Sequence, residues 1–383
     1  MINLDHGAAP PVDSRVIEEM ASCLRENTGN PSSLHQAGAQ ARNVLELARG
    51  RVSALIGADP GEIVFTANGT EADNLAVKGL AQARANHGRH IVISSIEHHA
   101  VLYAAKAMER QGFTVTRVPA DGDGIVPPDG IARAMRDDTI LVSVMLANDE
   151  TGTIQPVREI AEIARGNGAV IHTDAVAAMG RLPVTVHDLG VDALSISARP
   201  LNGPPGAGAL YVKAGTRLRP QVEGGAQEDG RRGGHENIPA IVGFGRAADL
   251  AAEELPARID RLKRLDASML LGLKERLPDV SINGHSRQRM PGHLNLWIPE
   301  ADGESLVLML DARGIAASVG SSCTAQVSKP SHVLLALGRT AAEARCSLLL
   351  TAGPDTGEGE VGEALDALAE VVGALRGIAG VSA

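Results

Sequence analysis

Aromatic side chains are scarce in this 383-residue sequence: one Trp, two Tyr and three Phe, 2% of the chain. Basic charge is also in deficit, with 36 Lys and Arg against 46 Asp and Glu and a net charge of -10. A chain without stacking platforms or basic stripes is not built to hold nucleic acid. No apolar run approaches the roughly 18 residues that span a bilayer, so no membrane segment is expected. Three cysteines, Cys23, Cys323 and Cys346, are too far apart for a disulfide framework or a metal-binding spacing, and no metal site is expected. Cys23 and Cys346 sit in apolar patterns and read as buried small hydrophobes. Cys323 lies in the small, polar segment Ser-Val-Gly-Ser-Ser-Cys-Thr-Ala, which reads as an exposed loop. The opening residues carry neither a basic start nor an apolar stretch, which predicts a cytoplasmic location. Lysine is rare as well: only Lys78, Lys106, Lys213, Lys263, Lys274 and Lys329.

Glycine is plentiful, at 43 residues, and marks many short turns. Between residues 60 and 212, β-rich runs at 62–66, 90–95, 114–118, 140–146, 169–172, 193–197 and 208–212 alternate with amphipathic stretches. That alternation predicts an α/β fold with a mostly parallel sheet covered by helices. A long amphipathic helix is expected over 250–277, kinked at Pro256, with its Arg and Lys on the polar face. It leads into a smaller α+β domain. The expected division is a large domain of residues 15–250 and a small one formed by 1–14 with 251–383.

Ligands of such sheets bind at the carboxyl ends of the strands. Those ends carry Asn68-Gly69-Thr70, Glu97-His98-His99, Asn148-Asp149-Glu150 and His172-Thr173-Asp174. A glycine turn and hydroxyl opening a helix suit an anion, because free N–H groups point at it. Alone, any of these groups reads equally well as a cap or a satisfied core residue; four strand ends aimed at one crevice point to a site.

The segment Gly29-Asn-Pro-Ser-Ser-Leu-His-Gln-Ala-Gly-Ala-Gln-Ala-Arg42 joins these strand ends, and the glycine-rich stretch 224–237, in an ordered series. In that order and spacing the chain resembles, end to end, the cysteine desulfurases. These are pyridoxal-phosphate (PLP) enzymes of the class V aminotransferase group with PLP fold type I, a seven-stranded-type sheet plus a smaller α+β domain. The resemblance implies that His98 stacks on the pyridine ring, Asp174 pairs with the ring nitrogen, and Gly69, Thr70 and Ser197 hold the phosphate. It places Asn148 near ring and substrate, and makes Cys323 the persulfide-carrying nucleophile. It also implies a homodimer and a sulfur-donor or acceptor protein as partner.

The departures cluster. The family's Schiff-base lysine falls at Pro200, beside Arg199 in place of a histidine. The glutamine that contacts the PLP phenolic oxygen is Ala177, and the threonine that reaches the partner's phosphate is His235. The arginine that clamps the substrate carboxylate falls, without gaps, at Leu349; a gapped alignment would use Arg345. Proline carries no amine, so no internal aldimine can form at residue 200, and any PLP is held non-covalently or is absent. Two readings lead: a pseudoenzyme that keeps the dimeric fold and a docking surface, or a sulfur relay in which Cys323 is loaded by another protein. Behind them stand an enzyme of altered chemistry, with Arg199 and His235 refitting the pocket, and a desulfurase working with non-covalent PLP.

Overall fold

The computed structural model describes residues 1–8, 10–26, 29–320 and 329–381. The chain opens with β1 (Ile2–Asn3), α1 (Ser14–Glu26) and α2 (Gln36–Leu55). Strands and helices then alternate through β2 (Ile63–Thr66), α3 (Gly69–Ala83), β3 (His90–Ser94), α4 (His99–Glu109), β4 (Thr114–Val118) and α5 (Pro128–Ala134). They continue with β5 (Thr139–Ser143), α6 (Val157–Gly166), β6 (Val170–Asp174), α7 (Val186–Leu189), β7 (Ala193–Ser197) and β8 (Gly208–Val212). The 39-residue α8 (Ile238–Arg276) leads to β9 (Ser281–Ile282), β10 (His293–Trp297), α9 (Gly303–Asp311) and β11 (Ile315–Ala316). Last come α10 (His332–Ala336), α11 (Ala341–Arg345), β12 (Ser347–Thr351) and α12 (Glu358–Val381).

All seven expected β-runs join one sheet, ordered β2-β8-β7-β6-β5-β3-β4. Only β8 runs against its neighbours, so the sheet is mostly parallel as the alternation predicts. The reason lies in composition: β3, β5, β6 and β7 are buried along their whole length, as strands with helices on both faces must be. The edge strand β4 exposes Thr114 and Arg117, which keeps an open edge polar. Apolar residues of α3 and α4 cover one face, and those of α2, α6 and the first part of α8 cover the other.

A separate core gathers Leu262, Leu265, Met269 and Leu273 of α8 with β10, β12 and α12. There β10 pairs antiparallel with both β9 and β12, while β1 pairs parallel with β11. Helix α8 therefore serves two cores in sequence. It begins at Ile238, twelve residues before the expected start. Its first turns carry Gly243 and Gly245, which read as loop signals, yet the missing side chains let α1 and α2 approach: a Cβ on Gly245 would stand 2.9 Å from the Ala48 Cα. Pro256 lies inside the helix, which continues through it. Among the described residues, no helix is long and apolar enough to cross a membrane.

Candidate functional site

The carboxyl ends of β2, β6 and β7 open onto a cavity of about 320 Å³. Its anion end is the start of α3. Asn68 caps that helix by accepting from the Glu71 N–H at 2.9 Å, and the Glu71 carboxylate accepts from Ala67 N at 2.8 Å. Gly69 and Thr70, the first residues of the helix, line the cavity, as does Ser197 at the end of β7. Gly69 is required by close approach: a Cβ there would lie 2.6 Å from Val176 Cγ2. Free N–H groups, the helix dipole and two hydroxyls suit a phosphate.

Beside this cup stands a carboxyl pair. Asp174 ends β6 and accepts from Val176 N at 2.9 Å; Asp73 projects from α3 and is buried, its Oδ1 without a hydrogen bond among the described residues. Burial pushes both carboxyls up, Asp73 furthest because Asp174 adjoins it. Behind them His172 is held between the Ser143 and Ser195 hydroxyls, each at 2.9 Å, with its Nε2 3.7 Å from Asp73 Oδ1. Burial lowers His172 to about 3, so it is neutral and brings no charge to balance the pair. A buried carboxyl pair of this kind calls for a proton or a cationic partner from the cavity, and a protonated ring nitrogen meets that need. One donor atom each from Asp73, His98 and Asp174 lie within 4.8 Å of one another, so the same three residues could grip a metal ion where none was expected.

His98 caps α4 by accepting from Ala100 N at 3.2 Å and lines the cavity. Asn148 does not face it. Its Nδ2 donates to Ile96 O at 3.0 Å, and its Oδ1 accepts from Glu150 N, Thr151 N and the Thr151 hydroxyl. The amide is consumed in shaping its own turn, and the neighbouring Asp149 lines the cavity instead.

Pro200 lines the cavity from the short 3-10 turn Arg199–Leu201, directly after β7. No lysine is among the described residues that line it, and Lys329 is exposed elsewhere. Ala177 and Leu349 present hydrocarbon to the same space. Leu349 is fixed there by backbone hydrogen bonds in both directions with Ser318. Arg345 is exposed at the end of α11 and is not among the described residues that line the cavity. Arg199 is exposed, lines the cavity and donates to the Ala8 carbonyl. His235 is exposed near Asn30, outside the lining of this cavity. Cys323 lies outside the described residues. Cys23 is buried as expected, whereas Cys346 is only half-buried.

Sequence reasoning missed Asp73, Arg181 and Arg258, all in the cavity wall. Asp73 was within reach: it follows Thr70 by three residues, one helical turn further on the same face. Arg181 donates to the Pro291, Gly292 and Ala352 carbonyls at 2.8–3.1 Å and ties the large sheet's side of the cavity to β10 and β12. Burial lowers it to about 10.

The family model described as aminotransferase class-V matches residues 2–353. The chain is 44% identical to the cysteine desulfurase IscS of Methanosarcina thermophila, over 98% of this chain and 93% of that one. It is 45% identical to cysteine desulfurase IscS 1 of Archaeoglobus fulgidus, over 97% of each. Among solved structures, a NifS-like protein superposes with a TM-score of 0.91 at 34% identity, covering 97% of this chain and 99% of the other. The chain belongs to the class V aminotransferase family, within its cysteine desulfurases.

Proposed function

We propose that this chain is a cysteine-desulfurase-like protein that has given up covalent PLP chemistry, and that its cavity holds a phosphorylated pyridine ligand without a bond to the chain. The observation that carries this reading is Pro200 in the cavity wall, with no lysine among the described lining residues. The recognition half fits PLP: the α3 N-terminus with Thr70 and Ser197 for the phosphate, the Asp73 and Asp174 carboxyls for a ring nitrogen, His98 beside the ring. The attachment half does not fit. PLP, when bound, supplies an electron sink. This chain's residues anchor its phosphate, fix the ring's orientation and keep its nitrogen charged. At residue 200 they offer no amine to carry a proton to and from a substrate, and at residues 177 and 349 they offer no polar contact. Ordinary turnover of cysteine to alanine and sulfane sulfur is therefore absent.

In this reading the protein serves as a homodimeric scaffold for a sulfur-transfer partner, with Cys323 as the thiol that a donor protein would load. The test is PLP titration followed by borohydride reduction and mass spectrometry, with sulfide release from L-cysteine assayed in parallel. Dialysable PLP, no lysine adduct and no sulfide are expected. A stable lysine adduct overturns the reading. For the thiol, the measurement is persulfide transfer from a catalytically active desulfurase, comparing parent with Cys323→Ala; equal labelling of the two removes Cys323 from the proposal.

A further inference from the structure

We propose that the cavity has a second anion pole, built on Arg258, which takes the carboxylate of a small amino or keto acid. The position that the resemblance assigns to this task is Leu349, a hydrocarbon buried in the wall. Arg258 reaches the same cavity from another element, α8. It heads the buried stripe Arg258, Leu262, Leu265, Met269 and Leu273, and only 9% of it is exposed.

Its guanidinium is under-bonded. Nη1 donates to Asn202 Oδ1 at 3.4 Å and Nη2 to Glu254 Oε2 at 3.3 Å, both long, while the buried Nε has no partner among the described residues. Glu254 balances the charge poorly, because it is partly exposed and holds Arg15 more closely, at 2.8 Å. Arg181, the other buried arginine of this wall, differs in kind: backbone carbonyls already engage it. Of the two, Arg258 is the one with donors left to give.

Its position also places it beside the reacting end of the cavity. Gly180, at φ 75°, separates it from the site of the lost lysine: a Cβ there would lie 3.0 Å from the Pro200 carbonyl oxygen and 3.4 Å from Arg258 Nη1. The guanidinium thus stands next to residue 200, where an amino acid substrate of this fold would be handled. His6 lines the same cavity, and its buried Nδ1 has no hydrogen-bond partner among the described residues. A planar fork matches a carboxylate in geometry and charge, whereas the α3 N-terminus already suits a phosphate. The cavity therefore reads as two-ended, with a phosphate cup and a carboxylate fork.

The inference does not depend on whether PLP is bound: a lysine adduct would overturn the preceding reading and leave this one standing. The experiment is calorimetric titration of the full chain, stripped of small molecules, with L-cysteine, L-cysteine amide and inorganic phosphate. The acid is expected to bind and its amide to bind about tenfold more weakly or worse, the loss of one charge-assisted pair. Arg258→Gln should lower acid affinity by a similar factor and leave phosphate unchanged, with Arg258→Lys in between. Equal binding of acid and amide to the parent, no acid binding at millimolar concentration, or unchanged affinity in folded Arg258→Gln each overturns it. The acid and amide comparison needs no variant, so a folding defect in Arg258→Gln leaves the test intact.

Discussion

Arg49 of α2 and Glu228 of the glycine-rich segment meet in a buried, two-pronged ion pair, Nη1 to Oε2 at 2.9 Å and Nη2 to Oε1 at 2.8 Å. The same Oε2 accepts from Phe65 N at 2.8 Å, on the open edge of β2, and Arg49 Nη1 also donates to the Ile63 carbonyl. Glu228 adopts φ 50° to make this reach. One carboxylate thus ties the glycine-rich segment, α2 and the strand that leads into the α3 end of the cavity.

Removing Glu228 would leave the buried Arg49 with only the exposed Glu46, 3.1 Å from its Nε, as a counter-charge. Breaking a buried pair in this way costs about 3–5 kcal/mol, and the remaining partner sets the loss at the lower end. Glu228→Ala is expected to fall in that range by urea unfolding. Glu228→Gln keeps the bond from Phe65 N and should lose less. A loss below about 1 kcal/mol for Glu228→Ala would mean that solvent reaches Arg49 and that the tie is unimportant.

Gly208 on β8 packs on the cap of α3: a Cβ there would lie 2.6 Å from the Asn68 carbonyl carbon. Backbone cannot yield as a flexible side chain does, so Gly208→Ala should push the N-cap of α3 aside. Expected are a stability loss of about 1–3 kcal/mol and weaker binding of PLP and phosphate. Gly61→Ala, where a Cβ meets nothing within 4 Å, is the control. If Gly208→Ala destabilises but binds PLP as the parent does, the α3 terminus is not the phosphate cup.

What was legible in the sequence follows from what kind of signal each feature leaves. The seven strands carry their own aliphatic runs, and Gly69, Asp174 and Ser197 stand directly at strand ends, where topology alone sends them to one crevice. Asn148 stands at such an end too, but its short amide finds the N–H groups of its own turn first, a choice that composition does not reveal. The start of α8 was hidden because Gly243 and Gly245 serve close helix packing, whereas glycine in a sequence reads as a break. Arg258 was assigned to a polar face by its charge. Its spacing with Leu262, Leu265, Met269 and Leu273 places it on the apolar stripe, and an arginine at the head of such a stripe is the sign that was available.

Pro200→Lys should supply the amine that the described cavity wall lacks. The turn Arg199–Leu201 has no need of proline, since its neighbours already fold it back on Ala198 through the Leu201 and Gly203 N–H bonds. With PLP, this variant is expected to gain a visible absorption band and a borohydride-fixed adduct at the new side chain, neither of which is expected of the parent. Sulfide release should remain low until Leu349→Arg and Ala177→Gln are added. Tight PLP binding without any adduct would show that residue 200 is not presented to the ligand.

Four buried groups set opposite limits on stability with pH. Burial lowers His172 and His293 to about 3, so the unfolded chain, with ordinary histidines near 6.5, takes up protons that the folded chain refuses. Their contribution is complete above about pH 6.5 and is lost as pH falls from there toward 3. Burial raises Glu97 and Glu150 to about 8, although Ser94 and Ser331 each donate to them at 2.5 Å. In that case the folded chain keeps protons that the unfolded chain releases near 4.5, so stability is complete below that pH and is lost as pH rises to about 8. The two limbs leave a maximum between about pH 4.5 and 6.5. Urea unfolding across pH 4–9 should show it, with Glu150→Gln flattening the alkaline limb and His172→Gln the acid one. A stability that climbs steadily to pH 8 in the parent would mean that Glu97 and Glu150 are ionised in the fold and paired by a cation.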